Sequence, residues 1–374
     1  MSFEEVTIDH QRLICGDALA VLPTLPSASV HLILVDPPYF RVKHDYLGEK
    51  LTWDRQWPTR DAYLAWLRQL AQEWQRLLTP NGSLYCFASP QMAAWVEVML
   101  SELFTVLNHI VWCKHDGSGG GAGRHQQACK EDLMAFFPQS ERIIFAEQYG
   151  AQYDDAAQVL HKAVYAPLGR YIQIERERAG ASRNEVDIAL GYISSANPQR
   201  GTSLCYRWEE GSSLPTRETY EKLRTYLNSR NGRTDYLRRE YESLRREYES
   251  LRQEYEALRR PFTVSANVPY MDVWTTFPTV LTTPGKHPAE KPLPLLRHII
   301  LASSRPGDTI LDCCAGSFST LDAARQCGRT GIGIEQDRHW WQRGQRRLSQ
   351  GDLWSLSVNG TTPFRATATQ GKLL

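Results

Sequence analysis

The chain carries almost no net charge: 43 lysines and arginines stand against 42 aspartates and glutamates, leaving +1. A surface for a polyanion must therefore come from local segregation of charge, not from the overall balance. There is no Cys-x-x-Cys pair. The eight cysteines, Cys15, Cys86, Cys113, Cys129, Cys205, Cys313, Cys314 and Cys327, are scattered, which argues against a zinc or other metal site. The opening Met-Ser-Phe-Glu-Glu is not a secretory leader, so the expected setting is a reducing cytoplasm with free thiols. No apolar run approaches the roughly 20 residues that cross a bilayer, so no membrane partner is expected. No Gly-x-Gly-x-x-Gly is present either, which disfavours a dinucleotide. What is left, at 42% hydrophobic and 23% charged residues over 374 positions, is a globular chain long enough for two or three domains.

Within it, Val30-His-Leu-Ile-Leu-Val-Asp36-Pro37-Pro38-Tyr39-Phe40 stands out. The β-branched and leucine-rich run reads as a buried parallel strand. Two prolines cannot continue it, because they lack the N–H and fix φ. The chain therefore stops at the C-terminal edge of a sheet, where open α/β folds bind ligands. There it presents a carboxylate, rigid carbonyls and an aromatic ring. Such an acceptor cluster beside a stacking platform suits a planar substrate with an exocyclic amine. The plainer reading is a strand ending in a Pro-Pro turn with a solvated Asp.

Around this corner the pattern is α/β. Leu13–Asp17, Val30–Asp36 and Ser83–Ala88 read as buried strands, Asp61–Leu78 and Gln91–Leu103 as helices, Val106–Cys113 and Arg142–Ala146 as further strands. Thr79-Pro80-Asn81-Gly82 reads as a break between helix and strand. The stretch Gly117–Gly123 is either a flexible linker or a loop that closes over substrate. After a long arginine-rich segment the α/β character returns: helix Lys291–Ser303, strand Thr309–Cys313, helix from about Thr320 to Cys327, strand Thr330–Glu335.

Ile310-Leu-Asp312-Cys313-Cys314-Ala315-Gly316-Ser317 is a strand, a small-residue turn and a helix start. Such a turn brings backbone N–H groups close to a ligand, and a helix N-terminus favours a carboxylate. Further on, Gly331-Ile-Gly333-Ile334-Glu335 ends a strand in an acid, placed to take both hydroxyls of a ribose. A single nucleoside with a charged amino-acid tail fits this pair of motifs, and S-adenosyl-L-methionine (AdoMet) is the obvious one. Cys313 and Cys314 read as core residues.

Taken together, Asp36-Pro37-Pro38-Tyr39, His287-Pro-Ala-Glu-Lys291-Pro292, Leu311-Asp312 with Ala315-Gly316-Ser317, and Gly333-Ile334-Glu335 resemble the amino-group DNA methyltransferases. The order, catalytic motif first and cofactor motif last with an insert between, resembles their β class. The resemblance implies a permuted, Rossmann-like AdoMet-dependent methyltransferase fold: a mostly parallel sheet with helices on both faces, carrying an all-α insert. It implies catalysis by Asp36, Pro37, Pro38 and Tyr39. It also implies AdoMet binding by Asp17, Lys291, Asp312, Cys314, Ala315, Gly316, Ser317 and Glu335. Asp at the head of the motif resembles the adenine-N6 enzymes more than the cytosine-N4 enzymes. Two departures stand out: Cys314 where the family usually has Phe, and Phe318 where it usually has Gly. They suggest a cavity floor filled from another direction.

The insert carries seventeen arginines between Lys162 and Arg260. Ser182, with Glu185 three residues on, reads as a capped helix start. Tyr206-Arg207-Trp208-Glu209-Glu210-Gly211 and Pro215-Thr216 resemble the end of a phage-repressor helix-turn-helix, although the spacer Ser194–Gly201 is longer than usual. Arg200, Ser203 and Arg207 are then candidate DNA readers, or else phosphate contacts or solvated side chains. Tyr241, Tyr248 and Tyr255 alternate with Leu244, Leu251 and Leu258 as an a/d seam about three heptads long. This helix either lies on the protein body or forms a dimerising or DNA-embracing arm.

The expected division is a catalytic half over 1–150, a helical insert over 151–262 (helix-turn-helix-like over 168–229, heptad helix over 234–260), a cofactor half over 263–358 and a tail over 359–374. The expected protein is a cytoplasmic adenine-N6 methyltransferase, site-specific or relaxed, acting on double-stranded DNA by base flipping, with a homodimer conceivable through the heptads. Cytosine-N4, RNA or protein-glutamine methylation and a non-catalytic DNA-binding regulator are the competing readings.

Overall fold

The computed structural model describes residues 3–40, 52–114, 139–148, 167–193, 203–230, 232, 235–264, 271–280 and 287–350. The Gly117–Gly123 stretch, the Ser194–Gly201 spacer with Arg200, and the tail after 350 lie outside them. The chain divides into two compact units, 1–148 with 261–374, and 149–260.

In the first unit the chain runs β1 (Glu4–Ile8), β2 (Gln11–Cys15), α1 (Ala18–Val21), β3 (Val30–Val35), α2 (Arg60–Leu77), β4 (Leu78–Ala88), α3 (Ala93–Ser101), β5 (Thr105–Cys113) and β6 (Ser140–Glu147). In the second it runs α4 (described over 167–178), α5 (Arg183–Ala189), α6 (Leu204–Glu209), α7 (Arg217–Arg230) and α8 (Tyr241–Leu258). Returning to the first, it completes β7 (Val273–Trp274), α9 (Leu293–Ser303), β8 (Thr309–Asp312), α10 (Ser319–Gln326), β9 (Thr330–Glu335) and α11 (Arg338–Ser349).

Among the described residues nine strands form one sheet in the order β1-β2-β9-β8-β3-β4-β6-β5-β7. Pairings from β2 through β4 are parallel, while β6 is antiparallel to both β4 and β5. Pleating sends alternate residues of β3 to opposite faces. Ile33 and Val35 pack under α2 and α3, whereas Leu32 and Leu34 pack under α9 and α10. Both faces are therefore covered, as a nearly continuous apolar strand requires. Thr59 starts α2 by accepting from Ala62 N at 3.1 Å, and Tyr63, Leu67, Leu70, Ala71, Trp74 and Leu77 form its buried face.

The expected break at Thr79–Gly82 is instead a bulge inside a strand. β4 begins at Leu78, directly after α2, and pairing with β3 jumps from Val30↔Leu78 to Leu32↔Ser83. Proline and glycine here serve to loop residues out of a ladder that resumes beyond them. Two elements carry no strong sequence signal: β1, a five-residue edge strand, and α11, whose Asp337 cap accepts from His339 N at 2.8 Å.

In the second unit Ser182 and Glu185 form the expected reciprocal cap on α5. The heptad helix starts at Tyr241, not 234. Leu237 takes a left-handed φ of 49°, and Arg224 Nε donates to its carbonyl at 2.8 Å, which holds the approach non-helical. Leu244 is fully buried in this unit's core, and Tyr241, Tyr248 and Leu251 pack against that core. The seam thus lies largely on its own body.

Candidate active site

Because β2, β9, β8, β3 and β4 are parallel, their C-terminal ends share one edge of the sheet. Asp36, Asp312 and Glu335 each stand at or just past such an end, and Gly16-Asp17 follows β2. Together they open onto a cavity of about 630 Å³, within the range of small-molecule sites. Asp17, Asp36, Pro37, Pro38, Tyr39, Lys291, Asp312, Cys314, Ala315, Gly316, Ser317 and Glu335 all line it. Every catalytic and cofactor candidate is thus brought together from stretches nearly 300 residues apart.

Asp36 is held from one side. Its Oδ2 accepts from Lys291 Nζ at 2.5 Å, while its buried Oδ1 has no hydrogen-bond partner among the described residues. Lys291 Nζ also lies 3.3 Å from Glu141 Oε2. Glu141 in turn accepts from the Tyr39 hydroxyl at 3.0 Å and pairs with Lys114. Two acids and two lysines form a chain with no net charge. Burial pushes the Asp36 carboxyl up, Lys291 pulls it down and Glu141 pushes it up again; it ends above the usual carboxylate range. Burial opposes the Lys291 charge, but the two carboxylates prevail and hold it above the ordinary lysine range. Lys291, expected at the cofactor, is therefore bonded to the catalytic candidate. Tyr39 is only 4% exposed, with its ring 5.3 Å from Lys291 Nζ and its backbone N–H donated to buried Asp54 at 2.7 Å. Phe40 packs on Tyr63 in the core at 5.7 Å.

On the cofactor side, the expectation of free amides in the small-residue turn requires correction. Cys314 N donates to Asp312 Oδ1, Ala315 N to the Ile334 carbonyl, Gly316 N to Glu335 Oε2 and Phe318 N to the Ala315 carbonyl. The Ala315 and Gly316 bonds brace the turn against β9, the Cys314 bond ties it to the end of β8 and the Phe318 bond closes it on itself, so these four N–H groups are spent. Gly316 has φ 49°, and a Cβ there would sit 3.0 Å from the His287 ring, so the close approach at this position is real. Ser317 is tied through its carbonyl and Oγ to Arg347, which also pairs with Glu290 at 2.6 Å. That bridge fixes the segment carrying His287 and Lys291 against the turn. Glu335 Oε1 accepts from Asp337 N at 2.8 Å. Asp17 caps α1 through Leu19 N at 3.1 Å.

Burial pushes Asp312 up to about 7, and burial also holds Glu335 above its usual range. Cys314 is held well above the ordinary thiol range by its bond with Cys313 and by burial, so it is no thiolate nucleophile. Cys313 accepts from Trp74 Nε1 at 3.3 Å in the core. Phe318 does not reach the cavity. It adopts φ 58°, is fully buried, and fills the space beside Gly333 and Gly344, where an added Cβ would lie 2.7 Å and 2.2 Å from its ring atoms.

Sequence reasoning missed Glu141, Lys114 and the ring set Trp53, Trp66 and Trp340 at the cavity wall. Glu141 lies at the start of β6, a strand paired on both sides, and carries no local motif. Of the DNA-reader candidates, Ser203 is engaged within its own unit. Its Oγ donates to Asp187 at 2.7 Å and accepts from Tyr206 N at 3.1 Å, capping α6. Arg207 is exposed on that six-residue helix. Among the described residues no group of three or more His, Cys, Asp or Glu is arranged to hold a metal, and no helix is long and apolar enough to cross a membrane.

The chain is similar to known DNA methyltransferases. The chain is 26% identical to the DNA adenine methyltransferase YhdJ of Escherichia coli over 365 residues, covering 97% of this chain and 91% of that protein. It is 44% identical over 79 residues to the type II methyltransferase M2.DpnII of Streptococcus pneumoniae, covering 21% and 30%. Among solved structures it is similar to the putative DNA modification methylase TTHA0409 of Thermus thermophilus complexed with S-adenosyl-L-methionine. That match has 21% identity and a TM-score of 0.45, and covers 90% of this chain and 92% of the other. The DNA methylase family model matches residues 30–342, from the strand that carries Asp36 to the helix that follows Glu335, and the chain belongs to that family of AdoMet-dependent amino-group methyltransferases.

Proposed function

We propose that the chain methylates the exocyclic N6 of adenine in double-stranded DNA, with the target base turned out of the helix into the cavity. The observation that carries this reading is Asp36, buried at a strand end with Oδ2 bonded and Oδ1 left without a partner among the described residues. A buried acceptor without a partner costs on the order of 1–3 kcal/mol, so the site is complete only when a donor arrives. An exocyclic amine has two N–H donors, and Asp36 Oδ1 with the Pro37 carbonyl offers them two acceptors.

The residues present fit AdoMet. Asp17, Asp36, Glu290, Asp312, Glu335 and Asp337 line the cavity against a single lysine, Lys291, a charge excess that favours a cationic ligand. Glu335 and Asp17 would hold its nucleoside end, and the turn Cys314–Ser317, whose amides at Cys314, Ala315 and Gly316 are already bonded, would wall its amino-acid end by close approach. When bound, it supplies a methyl group already activated by a sulfonium.

The chain's own work is orientation and charge. The adenine amine is a poor nucleophile because its lone pair is delocalised into the ring. Hydrogen bonds to Asp36 and Pro37 localise that pair on nitrogen, and rigid Pro37-Pro38 fixes its direction. The base costs a few kcal/mol to unstack, and Tyr39 faces it from a position locked by Glu141 and Asp54. The proton that the amine sheds passes to Asp36.

Asp36→Ala is expected to lower methyl transfer by on the order of a hundredfold or more while AdoMet binding by calorimetry persists; transfer at the parent rate would refute the assignment. Digestion of treated DNA and identification of the modified nucleoside tests the base. N6-methyladenine is expected, supported by the motif's leading Asp and by the named activity of YhdJ, whereas N4-methylcytosine would overturn it. Labelled transfer to duplex DNA against RNA tests the polymer. For the helical unit, exposed Arg207 is the reader proposed to touch DNA. Arg207→Ala should relax sequence choice if the side chain reads a base and weaken all sites equally if it touches phosphate; unchanged activity removes it from the interface.

A further inference from the structure

Asp36 is not the only ionised group buried at this corner. Four elements meet there: the end of β3, the start of β6, the residue after β5, and the segment before α9. They contribute Asp36, Glu141, Lys114 and Lys291. The side chains of Lys291, Glu141 and Asp36 are 6%, 5% and 18% exposed. Burying so many charges is costly unless each is paired and hydrogen-bonded, and such clusters give little net stability compared with an apolar core. A cluster of this kind at a strand-end cavity therefore calls for a functional account.

We propose that Glu141 and Lys291 are positioning residues for Asp36: Lys291 saturates Oδ2 and turns Oδ1 to the substrate amine, and Glu141 holds both Lys291 and the Tyr39 hydroxyl. The proposal rests on the reading of Asp36 as the amine acceptor, and it assigns Lys291 to that acceptor and not to AdoMet. Geometry supports it in three ways. The Asp36 carboxylate has one oxygen bonded and one without a partner, the state a directed acceptor needs. Glu141 Oε2 receives the Tyr39 hydroxyl and lies 3.3 Å from Lys291, so one oxygen fixes the ring and the ammonium together. Lys114 pairs with the other oxygen, Oε1, closing the chain at its outer end.

The same arrangement tunes the carboxyl. The charged and titratable groups that face Asp36 are Lys291, Glu141, Tyr39, Asp312 on β8, Tyr63 on α2 and Cys86 on β4. Lys291 favours the Asp36 anion, whereas Glu141 disfavours it. Removing the two charges must therefore move Asp36 in opposite directions, a pattern that a general loss of packing does not produce.

The test follows the Asp36 carboxyl by ¹³C NMR titration of the full-length protein without cofactor, with the resonance assigned by its loss in Asp36→Asn. In parallel, kcat, KM and AdoMet affinity are measured. Lys291→Met is expected to raise the Asp36 titration point and Glu141→Gln to lower it. Both should lower kcat by about tenfold or more, with AdoMet affinity within about twofold of the parent. Glu141→Gln is isosteric and still accepts from Tyr39, so it carries the test if Lys291→Met does not fold. An unmoved Asp36 titration in the folded variants overturns the proposal. So does a Lys291→Met variant with weakened AdoMet binding and unchanged kcat, which would return Lys291 to the cofactor. If Asp36→Ala retains transfer, the acceptor reading fails on its own, whatever the titrations show.

Discussion

Asp312 shows how a single carboxyl at the strand edge makes stability depend on pH. It is 3% exposed, and burial pushes it up from 3.8 to about 7. A raised folded-state pKa means that the native chain holds this proton more tightly than the unfolded chain. The contribution is therefore complete below the unfolded pKa and is lost as pH rises through about 7. The span corresponds to about 4 kcal/mol at most. Asp312→Asn keeps an acceptor for Cys314 N and removes the titration. Urea unfolding at several pH values from about 4 to 8 should show a flatter profile for the variant than for the parent; parallel profiles would mean that Asp312 titrates normally. Residues at this scale were readable where chain geometry announces them. Asp36 precedes two prolines and Glu335 ends a glycine-patterned strand. Glu141 and Lys114 were not readable, because a charged residue at the end of a strand looks like any solvated one until the fold buries it. Lys291 was found by resemblance, but its bond to Asp36 was not readable, since a one-dimensional motif does not say which neighbour its ammonium meets.

Among elements, the contact of β9 and α11 with the turn before α10 shows a trade between backbone and side chain. Phe318 stands where a glycine would adopt the left-handed φ of 58° freely; for an L side chain that conformation costs about 1–2 kcal/mol. Its buried ring offsets the cost by filling the groove that Gly333 and Gly344 leave open. Gly344→Ala should destabilise the protein by about 1–3 kcal/mol through overpacking, and Phe318→Ala by about 3–5 kcal/mol through the void. In the Phe318→Ala background the Gly344→Ala penalty should largely vanish, because the clashing ring is gone. Denaturant unfolding of the four proteins measures this coupling, and additive losses would show that the two positions are independent. AdoMet affinity should stay near the parent's, because Phe318 does not line the cavity. Elements with strong period, such as α2 and β3, were legible. The bulge in β4 was read as a break, since proline and glycine interrupt the pattern in the same way whether the ladder ends or resumes.

For the whole molecule, two compact units share one chain, and the second enters between β6 and the segment leading to β7. Its heptad seam looked equally suited to a partner chain. Burial of Leu244 in the unit's own core shows that part of the stripe is already used. Leu244→Ala should therefore destabilise this unit by about 2–5 kcal/mol without a change in sedimentation coefficient at fixed concentration; dissociation of an oligomer would place the seam at an interface. The permuted order of the motifs was legible, but which oxygen of Asp36 stays unbonded was not, since that follows from atoms 255 residues away. This order also has a consequence for synthesis. β3 finds its partner β4 early, but its other flank waits for β8, where Leu32 meets Ile310. At about 5–20 residues per second, the ribosome leaves that flank open for roughly 14–55 s. During that interval Asp36 has no Lys291, the floor of β9 is missing, and the nascent chain has nothing with which to complete a site. The cavity is thus assembled only once β9 has emerged, and a chain that stops short of β9 is expected to show no methyl transfer.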